Sequence, residues 1–122
     1  MDKEDMKRRT KAFALDVLTM SRSVRKSVES QVIVRQMIRC GTSVGANYRA
    51  ACLARSRPDF ISKMGIVLEE VDESRYWMEL LVEGGLCPQE DLTDLMREAA
   101  ELTSIVAASV ITARQREKAA GH

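Results

Sequence analysis

Apolar residues recur at alternating steps of four and three positions along four segments of this 122-residue chain. This spacing places them on one side of an α-helix, whereas a half-buried strand would alternate at every second residue. In chain order the rows are Met6, Thr10, Phe13, Val17, Met20 and Val24; Ile33, Met37, Cys40, Val44, Asn47 and Ala51; Phe60, Met64, Val67, Val71, Ser74, Met78 and Leu81; and Leu95, Ala99, Leu102, Val106, Ser109 and Ala113. The rows predict an all-α protein with four amphipathic helices.

Residues that begin or end helices separate the four rows. Ser27 or Ser30 can cap the start of the second helix. Pro58 suits a first helical turn, Gly84-Gly85 can end the third helix, and Pro88 can open the fourth. We therefore predict one domain over residues 1–122, with helices at about 4–28, 31–55, 58–84 and 88–118. Because the connections are short, neighbouring helices must run antiparallel, which predicts an up-down-up-down four-helix bundle.

The composition excludes several kinds of chemistry. The only histidine is the terminal residue, His122, which leaves no basis for Ser-His or Cys-His catalysis or for a histidine-rich metal site. The three cysteines are an odd number without metal-binding spacing, and no secretory leader is recognisable. The longest uncharged stretch, 102–113, is too short to cross a bilayer. We expect a cytoplasmic protein that needs no cofactor and does not contact a membrane.

The second predicted helix is rich in small side chains around Gly41 and Gly45. These glycines lie one turn apart, so another helix can approach closely there. The segment lacks the lysine and the preceding strand of a phosphate-binding loop. Asn47 falls on the apolar row of the same helix, where a buried amide needs hydrogen-bond partners. We expect close packing at the glycines and a polar contact at Asn47 inside the bundle or between subunits.

Carboxylates on the third and fourth predicted helices give the one enzymatic hypothesis. If they faced each other across two helices, they could hold Mg²⁺ and orient a phosphate group. Their spacing resembles the E-E-x-x-E and E-x-x-D motifs of all-α nucleoside triphosphate pyrophosphohydrolases of the MazG type, with glutamate in place of the final aspartate. The alternative is a solvated or arginine-paired helix edge. The carboxylates are Glu69, Glu70, Glu73, Glu98 and Glu101.

Charge is divided unevenly along the chain. Residues 1–57 contain 13 Lys or Arg and 5 Asp or Glu, a net +8, whereas residues 58–122 contain 6 and 13, a net −7. Such a division favours either binding to a polyanion or pairing between complementary halves. Because aromatic residues are few, contact with a nucleic acid would involve its backbone and not stacked bases. The candidate polyanion contacts are Lys7, Lys11, Arg22, Lys26, Arg35, Arg39, Arg55 and Arg57.

Segments 39–51, 59–66 and 70–81 resemble the 23S rRNA-intervening sequence proteins of bacteria. The resemblance rests on the S-V-G-A-N run at 43–47 and on the E-x-x-E-x-x-x-W run at 70–77. It implies a four-helix bundle that forms a ring-like homopentamer and has no established enzymatic activity. A related branch serves diversity-generating retroelements as an accessory protein that binds reverse transcriptase and nucleic acid. The resemblance marks a structural signature of Gly41, Ser43, Gly45, Asn47, Glu70, Glu73 and Trp77.

Two features depart from the family. Arg49-Ala50 stands where an acidic residue is common, and a net charge of +1 is far from that of the strongly basic accessory proteins. The leading hypothesis is a non-catalytic, homo-oligomeric scaffold or adaptor, a pentamer, that contacts RNA or DNA backbone through its basic half. A Mg²⁺-dependent pyrophosphohydrolase and a reverse transcriptase accessory protein are the alternatives.

Overall fold

The computed structural model describes residues 1–121 and contains four helices. They are α1 (Lys3–Ser23), α2 (Val28–Cys52), α3 (Arg57–Glu83) and α4 (Gln89–Ala120). Each helix packs against the next, and α1 also contacts α4, which closes a square; within the described residues no helix contacts the one diagonally opposite. The prediction of an all-α four-helix bundle is confirmed.

The first helix break lies earlier than the sequence predicts. Helix α1 ends at Ser23 rather than near residue 28, and α2 begins at Val28 rather than at 31. The reason is a reciprocal cap, in which Ser27 Oγ accepts from the Ser30 amide at 3.0 Å and Ser30 Oγ accepts from the Ser27 amide at 2.9 Å. Both serines act together, so the chain leaves helical geometry before Ser27.

The other helix ends lie close to their predicted positions. Helix α3 begins behind Ser56, whose side chain accepts from the Asp59 amide at 3.2 Å. It ends where Gly85 adopts a φ of 71°, a conformation that an L-residue with a side chain rarely takes. Helix α2 ends at Cys52, three residues before the predicted 55, and α4 continues to Ala120, two residues beyond the predicted 118.

The helical rows face the interior. Most of their residues are buried, including the fully enclosed Phe13, Met37, Met78 and Leu102. Neighbouring helices run antiparallel: Arg57 at the start of α3, for example, contacts Glu117 near the end of α4. Among the described residues no helix is both long and apolar enough to span a bilayer. The bundle therefore presents four outer edges, each between two neighbouring helices, on which functional side chains can lie.

Candidate functional site

The edge between α2 and α3 holds a network of polar side chains centred on Arg39. Its guanidinium pairs with the Glu73 carboxylate and lies 3.7 Å from Glu70 Oε2. Gln36 Oε1 accepts a hydrogen bond from Arg39 Nε at 3.0 Å, and Trp77 Nε1 donates to Glu73 Oε2 at 3.0 Å. The arginine therefore ties two acidic side chains of α3 to α2, and the indole N–H has the acceptor that it needs.

Glu70 is the least satisfied member of this network. Its Oε2 atom is buried and has no hydrogen-bond partner. Burial raises the pKa of the Glu70 carboxyl, while the nearby Arg39 acts in the opposite direction. Beneath it, Ser74 Oγ lies 3.3 Å from Cys40 Sγ, and burial likewise raises the pKa of that thiol. Cys40 is consequently a packed thiol and not a reactive one.

We expect Glu70→Gln to be as stable as the wild type at pH 7, or more stable. The folded-state pKa of Glu70 is raised above its ordinary value of 4.5, so its ionised form opposes folding. This cost is full above the folded pKa and vanishes as the pH falls below the ordinary value. Urea unfolding at pH 7 and pH 4 should show the advantage of the variant disappearing in acid. The matched control is Glu79→Gln, at an exposed side chain of the same helix. A variant clearly less stable than wild type at pH 7 would contradict the expectation.

The edge between α1 and α4 holds the second acidic pair. Arg9 Nε and Nη2 donate to the two carboxylate oxygens of Glu98 at 2.7 and 2.8 Å, and Arg9 Nη2 lies 2.7 Å from Glu101 Oε1. These hydrogen bonds raise the pKa of Arg9, which therefore stays charged. The two-pronged geometry fixes α1 against α4.

The five carboxylates of the magnesium hypothesis do not come together in the structure. Glu70 and Glu73 face Arg39 on the α2–α3 edge, whereas Glu98 and Glu101 face Arg9 on the α1–α4 edge. These edges lie on opposite sides of the square, since α2 and α4 do not touch in the described residues. Glu69 lies elsewhere again, in a groove between α3 and α4.

Within residues 1–121 no three His, Cys, Asp or Glu side chains converge on one point. An arginine also lies against each acidic pair and supplies the positive charge there: Arg39 beside Glu70 and Glu73, and Arg9 beside Glu98 and Glu101. The alternative prediction of an arginine-paired helix edge describes four of the five carboxylates.

The signature residues divide into two groups. Gly41 and Gly45 face α1, where a Cβ atom on Gly41 would lie 2.9 Å from Val17 Cγ2 and one on Gly45 would lie 3.2 Å from Thr10 Oγ1. The close packing expected at these glycines is present. The other five members lie along the α2–α3 edge, on the row of α2 that continues from Arg39 and on the facing row of α3. They are Ser43, Asn47, Glu70, Glu73 and Trp77.

Asn47 has its hydrogen-bond partner in its own helix and not on a neighbouring helix, and the alternative of a contact between subunits stays a prediction. Asn47 is only partly buried, and its Nδ2 atom donates to the Ser43 carbonyl of its own helix at 2.9 Å. Ser43 Oγ in turn donates to the Arg39 carbonyl at 2.7 Å. The helix is rotated so that the glycines meet α1, and this rotation carries Asn47 from the apolar row towards the surface.

The eight predicted polyanion contacts do not form one surface. Lys7 and Lys11 line a groove between α1 and α2, and Lys26 and Arg35 line a second groove between the same helices nearer the first connection. Arg39 is held by Glu73, so it is not free for a polyanion. The remaining three, Arg22, Arg55 and Arg57, are exposed. The guanidinium of Arg57 lies 3.7 Å from the Glu117 carboxylate.

Two arginines, Arg49 and Arg116, are not among the candidate polyanion contacts that the sequence predicts. Arg49 lines the same groove as Lys7 and Lys11. Arg116 lines an open groove of 410 Å³ together with Arg57 and Phe60, where the end of α4 meets the start of α3. Arg49 lies fourteen residues after Arg35, which is four helical turns, and this spacing could have revealed it. Arg116 comes near Arg57 only because α3 and α4 are antiparallel, so its contribution depended on the fold.

Comparisons with known proteins agree on one family. The family model described as 23S rRNA-intervening sequence protein matches residues 2–108. A crystal structure of a protein of unknown function from the S23 ribosomal protein family of Bacteroides thetaiotaomicron superposes with a TM-score of 0.82 at 30% sequence identity. The match covers 90% of this chain and 98% of that one. None of the curated protein sequences matches the chain.

Proposed function

Because the chain belongs to the 23S rRNA-intervening sequence protein family, we propose that it is a non-catalytic scaffold that assembles into a homo-oligomer and binds the phosphate backbone of RNA or DNA. We propose a pentamer, as its resemblance to this family implies. A cytoplasmic location suits the free thiols of Cys40, Cys52 and Cys87.

The observation that carries the proposal is unpaired charge. Ion pairs between different helices involve only Arg9, Arg39 and Arg57 among the basic side chains of the described residues. Lys7 and Arg8 pair with acids of their own helix, and the other eight of the 13 basic residues in 1–57 form no ion pair within residues 1–121. Charge left unpaired on a folded surface is available to a neighbouring subunit or to a polyanion. The assembly part of the proposal uses this surplus, and the nucleic-acid contact combines it with basic residues at the end of α4.

The nucleic-acid contact is proposed at the end of the bundle where α2 meets α3 and α4 finishes. Exposed basic side chains collect there around the groove lined by Arg57 and Arg116, and within residues 1–121 the one ion pair that they form is between Arg57 and Glu117. Such a cluster suits phosphate contacts, which are independent of sequence. The members of this basic end are Arg55, Arg57, Arg114, Arg116 and Lys118.

The test combines native mass spectrometry with binding of fluorescently labelled RNA and DNA duplexes across a salt series. We expect a pentamer, and we expect binding that weakens as salt increases. The variant Arg55→Gln/Arg116→Gln should weaken binding to both duplexes about tenfold or more and lower the salt-dependence slope by about 2, one for each lost phosphate contact. The matched control is Arg8→Gln/Arg97→Gln, which removes two exposed arginines from other parts of the surface.

Three results would overturn the proposal in different parts. If the protein is a monomer at all concentrations, the proposed scaffold is refuted. If the variant and its control bind the duplexes equally well, the basic end is not the nucleic-acid contact. Hydrolysis of a nucleoside triphosphate with Mg²⁺ by the pure protein removes the non-catalytic assignment.

A further inference from the structure

The outer face of α3 is an acidic ridge. Its residues recur at steps of three and four, so they share the side of the helix that points away from the bundle. The ridge consists of Glu69, Asp72, Tyr76, Glu79 and Glu83, all exposed. Within residues 1–121 none of its four acids forms an ion pair, and the one neighbouring base, Arg75, is partly buried. The ridge therefore presents unneutralised negative charge.

The face between α1 and α2 is a basic groove. Two depressions of 290 and 220 Å³ lie along it, and no acidic side chain lines either one, although Lys7 pairs with Glu4 of its own helix. Five basic side chains stand at its two ends: Lys7, Lys11 and Arg49 at one, and Lys26 and Arg35 at the other. Between them the walls are mostly small or apolar, as at Gly45, Ala46 and Ile38. The hydroxyls of Thr42 and Ser21, which also line the groove, donate to carbonyls of their own helices. Small residues in such a groove allow the backbone of another helix to come close.

The ridge and the groove match in charge and length. From Glu69 to Glu83 the ridge spans fourteen residues, and from Arg35 to Arg49 the groove spans the same number. At the helical rise of 1.5 Å per residue each is about 21 Å long. Tyr76, which is 52% exposed, stands in the middle of the ridge and would face the apolar middle of the groove. Opposite charges at both ends and an apolar centre suit a helix lying in a groove.

We propose that the acidic ridge of α3 in one copy of this protein docks into the basic groove between α1 and α2 of the next copy. The inference rests on the self-assembly in the proposed function and names the surfaces that perform it. The contact is head-to-tail, since two different patches meet, and it repeats from copy to copy. Glu69 and Asp72 of the ridge also line the groove between α3 and α4, which lies across the bundle from the groove between α1 and α2. Each copy therefore offers the ridge on one side and the groove on the other, so successive copies can bind in the same way.

Charge reversal on each surface tests the contact in the full-length protein. The ridge variant is Asp72→Lys/Glu79→Lys, the groove variant is Arg35→Glu/Arg49→Glu, and the third combines all four changes. We expect each double variant to need roughly tenfold or more protein for half-assembly, because like charges then meet across the contact. The combined variant should regain assembly, because its ridge and groove are again complementary. Native mass spectrometry and light scattering over a dilution series measure the subunit number.

A matched control and an uncharged variant separate the contact from general effects of charge. Asp16→Lys/Glu90→Lys makes the same change in net charge at exposed acids away from the ridge, and it should assemble like the wild type. Ala46→Trp fills the exposed floor of the groove without changing charge, and it should block assembly as well. Circular dichroism confirms that each variant is folded.

The outcomes distinguish this inference from the proposed function. If the wild type assembles but the ridge and groove variants assemble equally well, the surfaces are wrong and the scaffold stands. If the groove variant loses duplex binding and keeps its subunit number, the groove is a polyanion site and the docking contact is refuted. If the combined variant stays dissociated while folded, complementarity between the two surfaces is refuted.

Discussion

Phe13→Ala is expected to lower the free energy of unfolding by about 3–5 kcal/mol, the range for truncating a fully buried phenylalanine. Phe13 is 0% exposed and belongs to the single core cluster. Its removal loses apolar burial and leaves a cavity that the surrounding core side chains can close only in part. Because α1 is the shortest of the four helices, the loss falls on the element with the fewest other core residues. Urea unfolding at one fixed protein concentration measures the change.

The matched control is Leu15→Ala in the same helix. Leu15 is 53% exposed, so its truncation should change stability by less than about 0.5 kcal/mol. Equal losses in the two variants would mean that α1 is not oriented with Phe13 inward. Full retention of stability by Phe13→Ala would contradict its place in the core.

Gly41→Leu is expected to cost about 3 kcal/mol, at the upper end of the range for overpacking a core. A Cβ atom alone at this position would lie 2.9 Å from Val17 Cγ2 and 3.1 Å from Val17 Cγ1. Val17 is 0% exposed and cannot turn aside into solvent. The added side chain therefore has to push α1 away from α2. Adding Val17→Ala should recover part of the loss, and a double-mutant cycle measures that coupling.

Gly65→Ala provides the comparison, because Gly65 is also inside a helix but a Cβ atom there meets nothing within 4 Å. This change should stabilise the protein by up to about 1 kcal/mol, since alanine favours a helix more than glycine does. Opposite signs at the two glycines would show that close packing, and not helix propensity, determines the residue at position 41. If Gly41→Leu cost nothing, the close approach of α1 and α2 would be refuted.

The two acidic pairs, Glu70 with Glu73 and Glu98 with Glu101, lie on different edges of the bundle, and this separation affects the metal-site hypothesis. Paired acids on neighbouring helices invite a metal-site interpretation, and that interpretation depends on which edge each pair occupies. Arg9 and Arg39 lie far from these acids in sequence, yet each provides the positive charge that its pair requires. Both pairs serve to join helices, which leaves the ridge and the basic surfaces as the regions free for partners.

Much of the fold could be read from the sequence alone. The four apolar rows predicted four helices, because burial of one face requires a repeat near 3.6 residues and that repeat is visible without a structure. Glycine and proline marked the later helix ends, since each acts through its own backbone geometry. The end of α1 was missed because Ser27 and Ser30 cap reciprocally, and either serine alone looked sufficient.

Tertiary structure decided the identity of the surfaces. Periodicity shows which residues share one side of a helix. It does not determine which of the residues at the border of that side face the core and which face solvent or a neighbouring helix. Rotation of α2 buried Gly41 against Val17 and moved Asn47 outward. Partners on different helices, such as Arg57 with Glu117 or Arg9 with Glu98, depend on helix order and register. Local spacing determined the four helices, whereas contacts between residues distant in sequence determined which charges are neutralised and which remain free.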